Sequence, residues 1–155
     1  MTGGLTADEQ RTWCALTDMM RLVCREADRQ LQRDAGMPVA YYAILCTLSE
    51  APDRGLRMTA LAEALDGSQS RLSHAVSRLQ DRGWVARTRC AEDARCWYAA
   101  LTPVGRDVLE SATPGHAECV REVLFDPLTD KQRHSLRTVA EIVADRIRDR
   151  VAAQL

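Results

Sequence analysis

The stretch RMTALAEALDGSQSRLSHAVSRLQDRGWVARTRCAEDARCWYAAL, residues 57–101, decides the fold. Its first part predicts a short helix, because Leu61, Ala62 and Leu65 fall on one face at helical spacing. Thr59 is expected to cap the start of this helix through its hydroxyl. The Asp66-Gly67 pair that follows is typical of a turn and ends the helix.

A second helix is expected over about 68–82, with Ser68 as its N-cap and Gly83 as the residue that stops it. Leu72, Val76 and Leu79 give it an apolar face, together with Ala75. The opposite face carries short polar or cationic side chains, namely Ser70, Ser73, His74, Ser77 and Arg78. Such a face can hydrogen-bond base edges and phosphates while the apolar face stays packed, which is typical of a recognition helix.

Two strands separated by a charged tip are expected over about 85–101 and form a hairpin wing. With the two helices before it, this hairpin predicts a winged helix-turn-helix lobe over 38–101. The fold class is therefore mainly α with a small β-hairpin wing. A further helix, from Val39 to Glu50, is expected to belong to the same lobe.

The distribution of charge favours nucleic acid as the partner of this lobe. The chain has a formal net charge of −1, which excludes a globally basic binder, but Gly67 to Cys90 holds five arginines against one aspartate, a local charge of +4. Candidates for contacts to base edges are Gln69, Ser70, Ser73 and His74, beside Ser68 and Ser77. Candidates for phosphate contacts are Arg71, Arg78, Arg87 and Arg89. For each serine, a merely solvated helix face is the alternative.

Two amphipathic helical regions, 5–36 and 103–153, flank the lobe. The first is expected to be one helix over 6–35 that begins with a Thr6–Glu9 capping box. The second is expected to start at Thr102-Pro103, to kink or break at Pro114-Gly115 and to restart with a capping box at Thr129. The lobe is too small to cover both apolar stripes, which predicts homodimerisation; intrachain packing is the alternative. The stripes are Trp13, Leu16, Met20, Val23, Ala27 and Leu31, and Leu136, Val139, Val143, Ile147 and Val151.

Several other classes of protein are disfavoured. No apolar run approaches the roughly 20 residues of a membrane span, and the polar start is unlike a signal peptide, so we expect a cytoplasmic protein without a membrane partner. Six cysteines without a CxxC motif argue against a zinc site and a secreted disulfide scaffold. The three histidines stand apart and no glycine-rich phosphate loop occurs, so we expect neither an enzyme nor a metal or other cofactor.

The order of these elements resembles the MarR family of transcription regulators over nearly the whole chain. The residues that carry the resemblance are Ser70-Arg71-Leu72-Ser73-His74 with Arg78-Leu79 and Gly83, then Asp93-Ala94-Arg95 and Leu101-Thr102. The resemblance implies a homodimer that represses or activates nearby promoters. It also implies release from double-stranded DNA by a small phenolic or other anionic ligand, or by cysteine oxidation.

The resemblance assigns further residues. Arg95 corresponds to the wing residue of the minor groove, where a narrow groove favours a guanidinium, and Asp93 would orient the wing. An Asp93–Arg95 pair across the tip is the alternative, and both can hold. The family's ligand pocket lies between the dimerisation helices and the DNA-binding lobe, which makes Trp13, Tyr41, Tyr42 and His116 candidate lining residues; plain packing is the alternative for each.

Three cysteines are candidates for redox chemistry. Cys90 and Cys96 flank the wing tip, so a hairpin can bring them opposite each other and permit a disulfide; two ordinary strand cysteines are the alternative. Cys14 resembles in its position the peroxidatic cysteine of the hydroperoxide-sensing branch of the family. The tyrosines that this branch places around its cysteine are not matched, so a buried helical thiol is the alternative.

The sequence therefore predicts a sequence-specific DNA-binding regulator, a repressor that acts as a homodimer on a palindromic operator and is released by a small molecule. A cysteine-based redox regulator of the same family is one alternative. A winged helix that binds protein rather than DNA is the alternative from another class.

Overall fold

The fold is described by a computed structural model that covers residues 4–52, 55–90 and 96–153. It forms two compact units, one up to Cys119 and one from Val120. The elements of the first unit are α1 (Ala7–Ala35), α2 (Val39–Ser49), β1 (Leu56–Arg57), α3 (Met58–Ala64), α4 (Gln69–Asp81), β2 (Val85–Arg89), β3 (Trp97–Leu101) and α5 (Pro103–Val120). The second unit holds a π-helical turn (Arg121–Phe125) and α6 (Asp130–Ala152). The predicted mainly α winged helix-turn-helix is confirmed.

The ends of the long helices follow the local sequence. The Thr6 hydroxyl accepts from the backbone N–H of Glu9 at 3.2 Å, and the Glu9 carboxylate accepts from the Thr6 N–H at 2.7 Å. These hydrogen bonds lower the pKa of Glu9. Thr129 and Gln132 form the same capping box at the start of α6. Both predicted boxes are therefore confirmed, because they depend only on residues three positions apart.

The wing has three strands rather than the predicted two. β1 pairs with β3 in antiparallel fashion, and the order in the sheet is β1-β3-β2. The predicted cap at Thr59 is wrong: α3 already begins at Met58, and Arg57 stands at its N-cap without a side-chain hydrogen bond. The physical reason is that Arg57 is held extended by its pairing with Tyr98, so the helix starts directly where the strand ends.

The prediction at Pro114-Gly115 was a kink or a break; helix α5 runs through Pro114 without interruption, so a break is wrong. Proline removes one backbone hydrogen bond, but packing of the preceding turn can offset this cost. Leu109 and Ala112 are buried in the core, and the Thr113 hydroxyl donates to the carbonyl oxygen of Leu109 at 2.7 Å. The turn before the proline is thus fixed by contacts other than the missing bond.

One apolar core holds the first unit together. Leu31 from α1, Leu45 from α2, Leu61 from α3 and Leu79 from α4 are fully buried in it, together with Ala99 from β3. The stripe of α1 therefore reaches the core only at its C-terminal end. Its other large members, Trp13, Leu16 and Met20, are exposed, and no described residue of α6 is buried.

Thr102 links the end of α4 to the start of α5. Its hydroxyl donates to the carbonyl oxygen of Gly83 at 2.7 Å and accepts from the backbone N–H of Gly105 at 3.0 Å. Gly83 ends α4 with φ +72°, and the N–H of Trp84 returns to the carbonyl of Leu79 at 2.9 Å, as in a Schellman motif. The predicted roles of Gly83 and Thr102 as helix stop and helix cap are confirmed.

Candidate nucleic-acid interface

Helix α4 turns a polar face outward because its other face is fixed in the core. Ser68 caps it by accepting from the backbone N–H of Arg71 at 3.3 Å. Leu72, Val76 and Leu79 are at most 6% exposed. Ser73 is half-buried, and the exposed positions include Gln69, Ser70, Arg71, His74, Ser77 and Arg78. The face that the sequence singled out is therefore the face that solvent reaches.

The wing adds cationic groups beside an indole ring. In the β2–β3 ladder Arg89 lies opposite Trp97, and Arg87 lies opposite Ala99 on the same face. The guanidinium carbons of Arg87 and Arg89 lie 4.9 and 5.0 Å from the Trp97 ring centroid. At these distances cation–π attraction holds both arginines against the strand. Trp97 is a site residue that the sequence analysis missed, although an aromatic residue across the hairpin from an Arg-x-Arg strand was its signal.

Recognition helix and wing meet around a cavity of about 200 Å³. Gln69 and Ser73 of α4 line it together with Arg87 and Trp97 of the wing. The Nε atom of Arg87 is buried there and has no hydrogen-bond partner among the described residues. Side chains from α4 and from the wing therefore line the same cavity.

Arg57 and Tyr98 form a second aromatic–cation contact on the wing. The Arg57 Nε donates to the Tyr98 hydroxyl at 3.2 Å, and its guanidinium carbon lies 5.8 Å from the ring centroid. Arg57 also lines the cavity. The pair lies 41 positions apart in sequence, so no local pattern pointed to it.

Arg82 is used inside the fold. It donates from Nη1 to the carbonyl oxygen of Gly36 at 3.0 Å, and its guanidinium carbon lies 4.8 Å from the Trp84 ring centroid. Tyr41 lies on the same guanidinium at 5.8 Å. One of the five arginines that made the segment cationic is therefore engaged by α1 and the end of α4.

The wing tip is closed by a bond between the two flanking cysteines. Cys90 and Cys96 form a disulfide with a Cα–Cα distance of 5.3 Å, and the Cys90 N–H donates to the Cys96 carbonyl at 3.0 Å. The hairpin thus brings together the pair that the sequence placed opposite each other. Asp93 and Arg95 lie outside the described residues.

The candidate ligand residues divide between different surroundings. The rings of Tyr42 and His116 are in contact, with centroids 4.5 Å apart, and the Tyr42 hydroxyl is 3.2 Å from the Thr113 hydroxyl. Burial lowers the pKa of His116, whose Nδ1 is buried without a partner among the described residues. Tyr41 faces Arg82 instead, and Trp13 is 55% exposed.

The remaining cysteines include exposed and half-buried thiols. Cys14 is exposed, against the alternative of a buried thiol, and its sulfur accepts from Gln10 Nε2 at 3.6 Å. Cys46 is half-buried, and burial raises the pKa of its thiol. Among the described residues, no group of three His, Cys, Asp or Glu side chains is placed to hold a metal ion. In the same part of the chain, every helix is too short or too polar to span a bilayer.

Comparison with known proteins places this geometry in a family. The model of the MarR family matches residues 35–95. The chain is 48% identical to Sco3205 of Streptomyces coelicolor, a MarR family transcriptional regulator solved in complex with DNA; the similarity covers 92% of this chain and 90% of that one, with a TM-score of 0.86. AbsC, a MarR family transcriptional regulator of the same organism, is 32% identical over 96% of this chain and 99% of its own, also with a TM-score of 0.86.

A curated relative is more distant. The transcriptional repressor MprA of Escherichia coli strain K12 is 22% identical over 122 residues, which are 79% of this chain and 69% of that protein. These relatives are named as regulators of transcription, and the family is not enzymatic. The stretch matched by the family model contains helix α4 and strand β2, and Trp97 of β3 lies just beyond it. The chain belongs to the MarR family of transcriptional regulators.

Proposed function

We propose that this regulator is a cytoplasmic repressor that binds a palindromic operator as a homodimer and is released by a small phenolic or other anionic molecule. The observation that carries the proposal is the exposed face of α4 beside the arginines of the wing. A helix of this kind fits a major groove, and a cationic hairpin at its side fits the adjacent backbone.

The two parts of this surface have different tasks. Gln69, Ser70, Ser73 and His74 read base edges, with Ser68 and Ser77 beside them. Arg71, Arg78, Arg87 and Arg89 contact phosphates, because guanidinium groups on a surface bind phosphate oxygens regardless of sequence. Arg95, with Asp93 orienting the wing, enters the minor groove. Trp97 supports this division by holding two of the arginines on one face of the wing.

Uncovered apolar side chains support the homodimer. Trp13 and Met20 of α1 are 55% and 47% exposed, and Val143 and Ile147 of α6 are 51% and 57% exposed. Repeated apolar residues of this size at helical spacing favour burial against another surface. A second copy of the chain is the partner that two-fold DNA sites suit, since two recognition helices then reach successive major grooves.

Two further parts of the proposal have separate support. Repression is supported by the relative named as a transcriptional repressor. Release by a small molecule is supported by the Tyr42–His116 contact, since an aromatic ring and an unpartnered imidazole nitrogen can bind a phenolic or anionic group. Redox control through a cysteine is the second candidate within the family, and the wing disulfide favours it.

The rival function is a winged helix that binds protein instead of DNA. Gel-shift assays with the region upstream of the protein's own gene, repeated over a salt series, separate the two. A specific regulator loses affinity steeply with salt and still prefers its operator over random duplex by about 10³-fold or more. Equal affinity for operator and random duplex would contradict the proposal. So would an operator complex containing one protomer, since the proposal requires two.

A further inference from the structure

The Cys90–Cys96 disulfide lies where the wing ladder ends. The last paired residues of β2 and β3 are Arg89 and Trp97, and the cysteines are the next residue on each strand. Their Cα atoms are 5.3 Å apart, within the range of opposed residues in an antiparallel pair and of ordinary disulfides. The bond therefore continues the pairing by one step without requiring another arrangement of the strands.

This position couples the bond to the cationic face. Cys90 follows Arg89 in the chain, and Cys96 precedes Trp97, the ring that Arg87 and Arg89 cover. Cys96 also lines the cavity that Gln69 and Ser73 of the recognition helix share with the wing. Besides the disulfide, a backbone hydrogen bond of 3.0 Å from the Cys90 N–H to the Cys96 carbonyl oxygen holds the two cysteines opposite each other.

The surroundings suit thiol–disulfide exchange. Both cysteines are half-buried, so a small molecule can reach them, and exchange proceeds through attack by a cysteine thiolate. Cys96 borders a cavity of about 200 Å³. The two sulfurs therefore combine access with a partner already in register.

We propose that Cys90 and Cys96 are a redox modification site that sets the operator affinity of the wing, with the disulfide form as the tighter binder. The oxidant is a low-molecular-weight disulfide. One cysteine thiolate attacks a sulfur of this oxidant, whose S–S bond breaks and releases one thiolate. The second cysteine thiolate attacks the protein sulfur of the mixed disulfide and releases the other. Two electrons pass to the oxidant, and the two cysteine protons pass to the released thiolates or to water.

The disulfide form is the tighter binder because the disulfide orders the wing. A covalent ring at the end of the ladder restricts the wing before it meets DNA, so less conformational entropy is lost on binding. Reduction leaves the last pair, Arg89 and Trp97, at a fraying strand end, and the phosphate contacts proposed for Arg87 and Arg89 become costlier to form. The inference rests on the proposed function, because it takes the wing to contact DNA.

The test compares the full chain after equilibration with reduced and with oxidised glutathione. The probe is the duplex that the untreated protein enriches from a random 30-bp library. Mass spectrometry after alkylation reports the state of the pair, and fluorescence anisotropy reports binding. We expect the dithiol form to bind the selected duplex roughly tenfold more weakly than the disulfide form. Cys90→Ser/Cys96→Ser should match the dithiol form under both conditions, and the matched variant at exposed Cys24, Cys24→Ser, should keep the full response.

Each outcome is informative. Equal affinity of two forms whose redox states are verified by mass would overturn the inference and leave the proposed function standing. Tighter binding by the dithiol form would overturn it as well. A pair that oxidised glutathione does not convert would refute the modification site whatever the affinities. A chain that selects no duplex in either state would contradict the proposed function, while the mass measurement would still decide whether the dithiol site exists.

Discussion

The Arg82 guanidinium, at the C-terminal end of α4, donates to the carbonyl oxygen of Gly36, at the end of α1, at 3.0 Å. Trp84 and Tyr41 lie against the same group. Gly36 has φ +60° and leaves its carbonyl available because α1 ends there. One side chain thus fixes the C-terminal end of α4 to the C-terminal end of the long helix α1.

This link predicts that Arg82→Ala acts mainly on the stability of the fold and has a smaller effect on the DNA affinity of the folded protein. It removes a charge-assisted hydrogen bond and a cation–π contact, so we expect the free energy of unfolding to fall by about 1–2 kcal/mol. Urea denaturation measures the loss. Arg78→Ala on the exposed face of the same helix is the matched control. We expect it to weaken DNA binding and to leave the free energy of unfolding within about 0.5 kcal/mol of the wild-type value. Equal stability of the two variants would contradict the role given to Arg82.

Arg89→Ala should weaken binding to operator and to random DNA by similar factors. If this arginine contacts a phosphate, its loss reduces the slope of log affinity against log salt by about 1. Gel shifts from low to physiological salt measure the slope. Arg29→Ala on α1, where the side chain pairs with Glu26, is a control for removal of one positive charge. If the salt slope changed equally in both variants, the assignment of Arg89 to a phosphate contact would be wrong.

Gln69→Ala should act differently from the arginine variant, because a base-edge contact carries sequence information. We expect a loss of about 1–3 kcal/mol on the selected operator and relaxed preference at one base position, with the salt slope unchanged. Competition among operators mutated at single positions measures the preference. A uniform loss at every position would show that Gln69 positions the helix and does not read a base.

Local chemistry explains what the sequence predicted about the fold. The Thr6–Glu9 box and the Ser68 cap need only residues within one turn, so the sequence alone specifies them. Strand β1 has two residues and shows no alternation, and its partner Tyr98 is 41 positions away from Arg57. Such pairing is decided by tertiary contacts that no window of sequence contains.

The candidate site shows the same division. The exposed face of α4 follows from helical periodicity, and the opposition of Cys90 and Cys96 follows from the hairpin. A count of charges, in contrast, gives Arg82 the same weight as the other arginines of the segment. The sequence does not reveal that its guanidinium donates to the carbonyl oxygen of Gly36. Trp97 is missed for a related reason. Its role depends on the two arginines that lie over its ring, and these contacts are seen only in the folded hairpin.

Ile147→Glu should convert the proposed dimer into monomers. Ile147 is 57% exposed in the single chain, and the proposed dimer buries it. The substitution would bury an unpaired carboxylate at the interface, once from each protomer, which is unfavourable. We expect dimerisation to weaken by roughly 2–4 kcal/mol, which is about 30- to 900-fold. Sedimentation equilibrium measures the shift. Arg146→Glu, the neighbouring position on the same helix, introduces the same side chain and should leave the dimer intact; monomers in the wild type at micromolar concentration would contradict the proposal.

His116 predicts a pH dependence of stability near neutrality. Burial lowers its pKa below the ordinary value of 6.5, so the unfolded chain binds a proton more readily than the folded chain does. The stability that the neutral imidazole contributes is therefore present above pH 6.5 and is lost as pH falls through the lower value of the folded state. The Glu9 and Asp34 carboxyls, whose pKa values are also lowered from 4.5 and 3.8, titrate in a more acidic range.

His116→Phe keeps a ring against Tyr42 but cannot titrate, so its unfolding free energy should fall less than that of the wild type between pH 7.5 and 5.5. Urea denaturation at each pH measures both curves, with pH 8 as the reference at which the imidazole is neutral in both states. Parallel curves across this range would mean that protonation of His116 costs the fold nothing, and the burial of its Nδ1 would then have no consequence for stability.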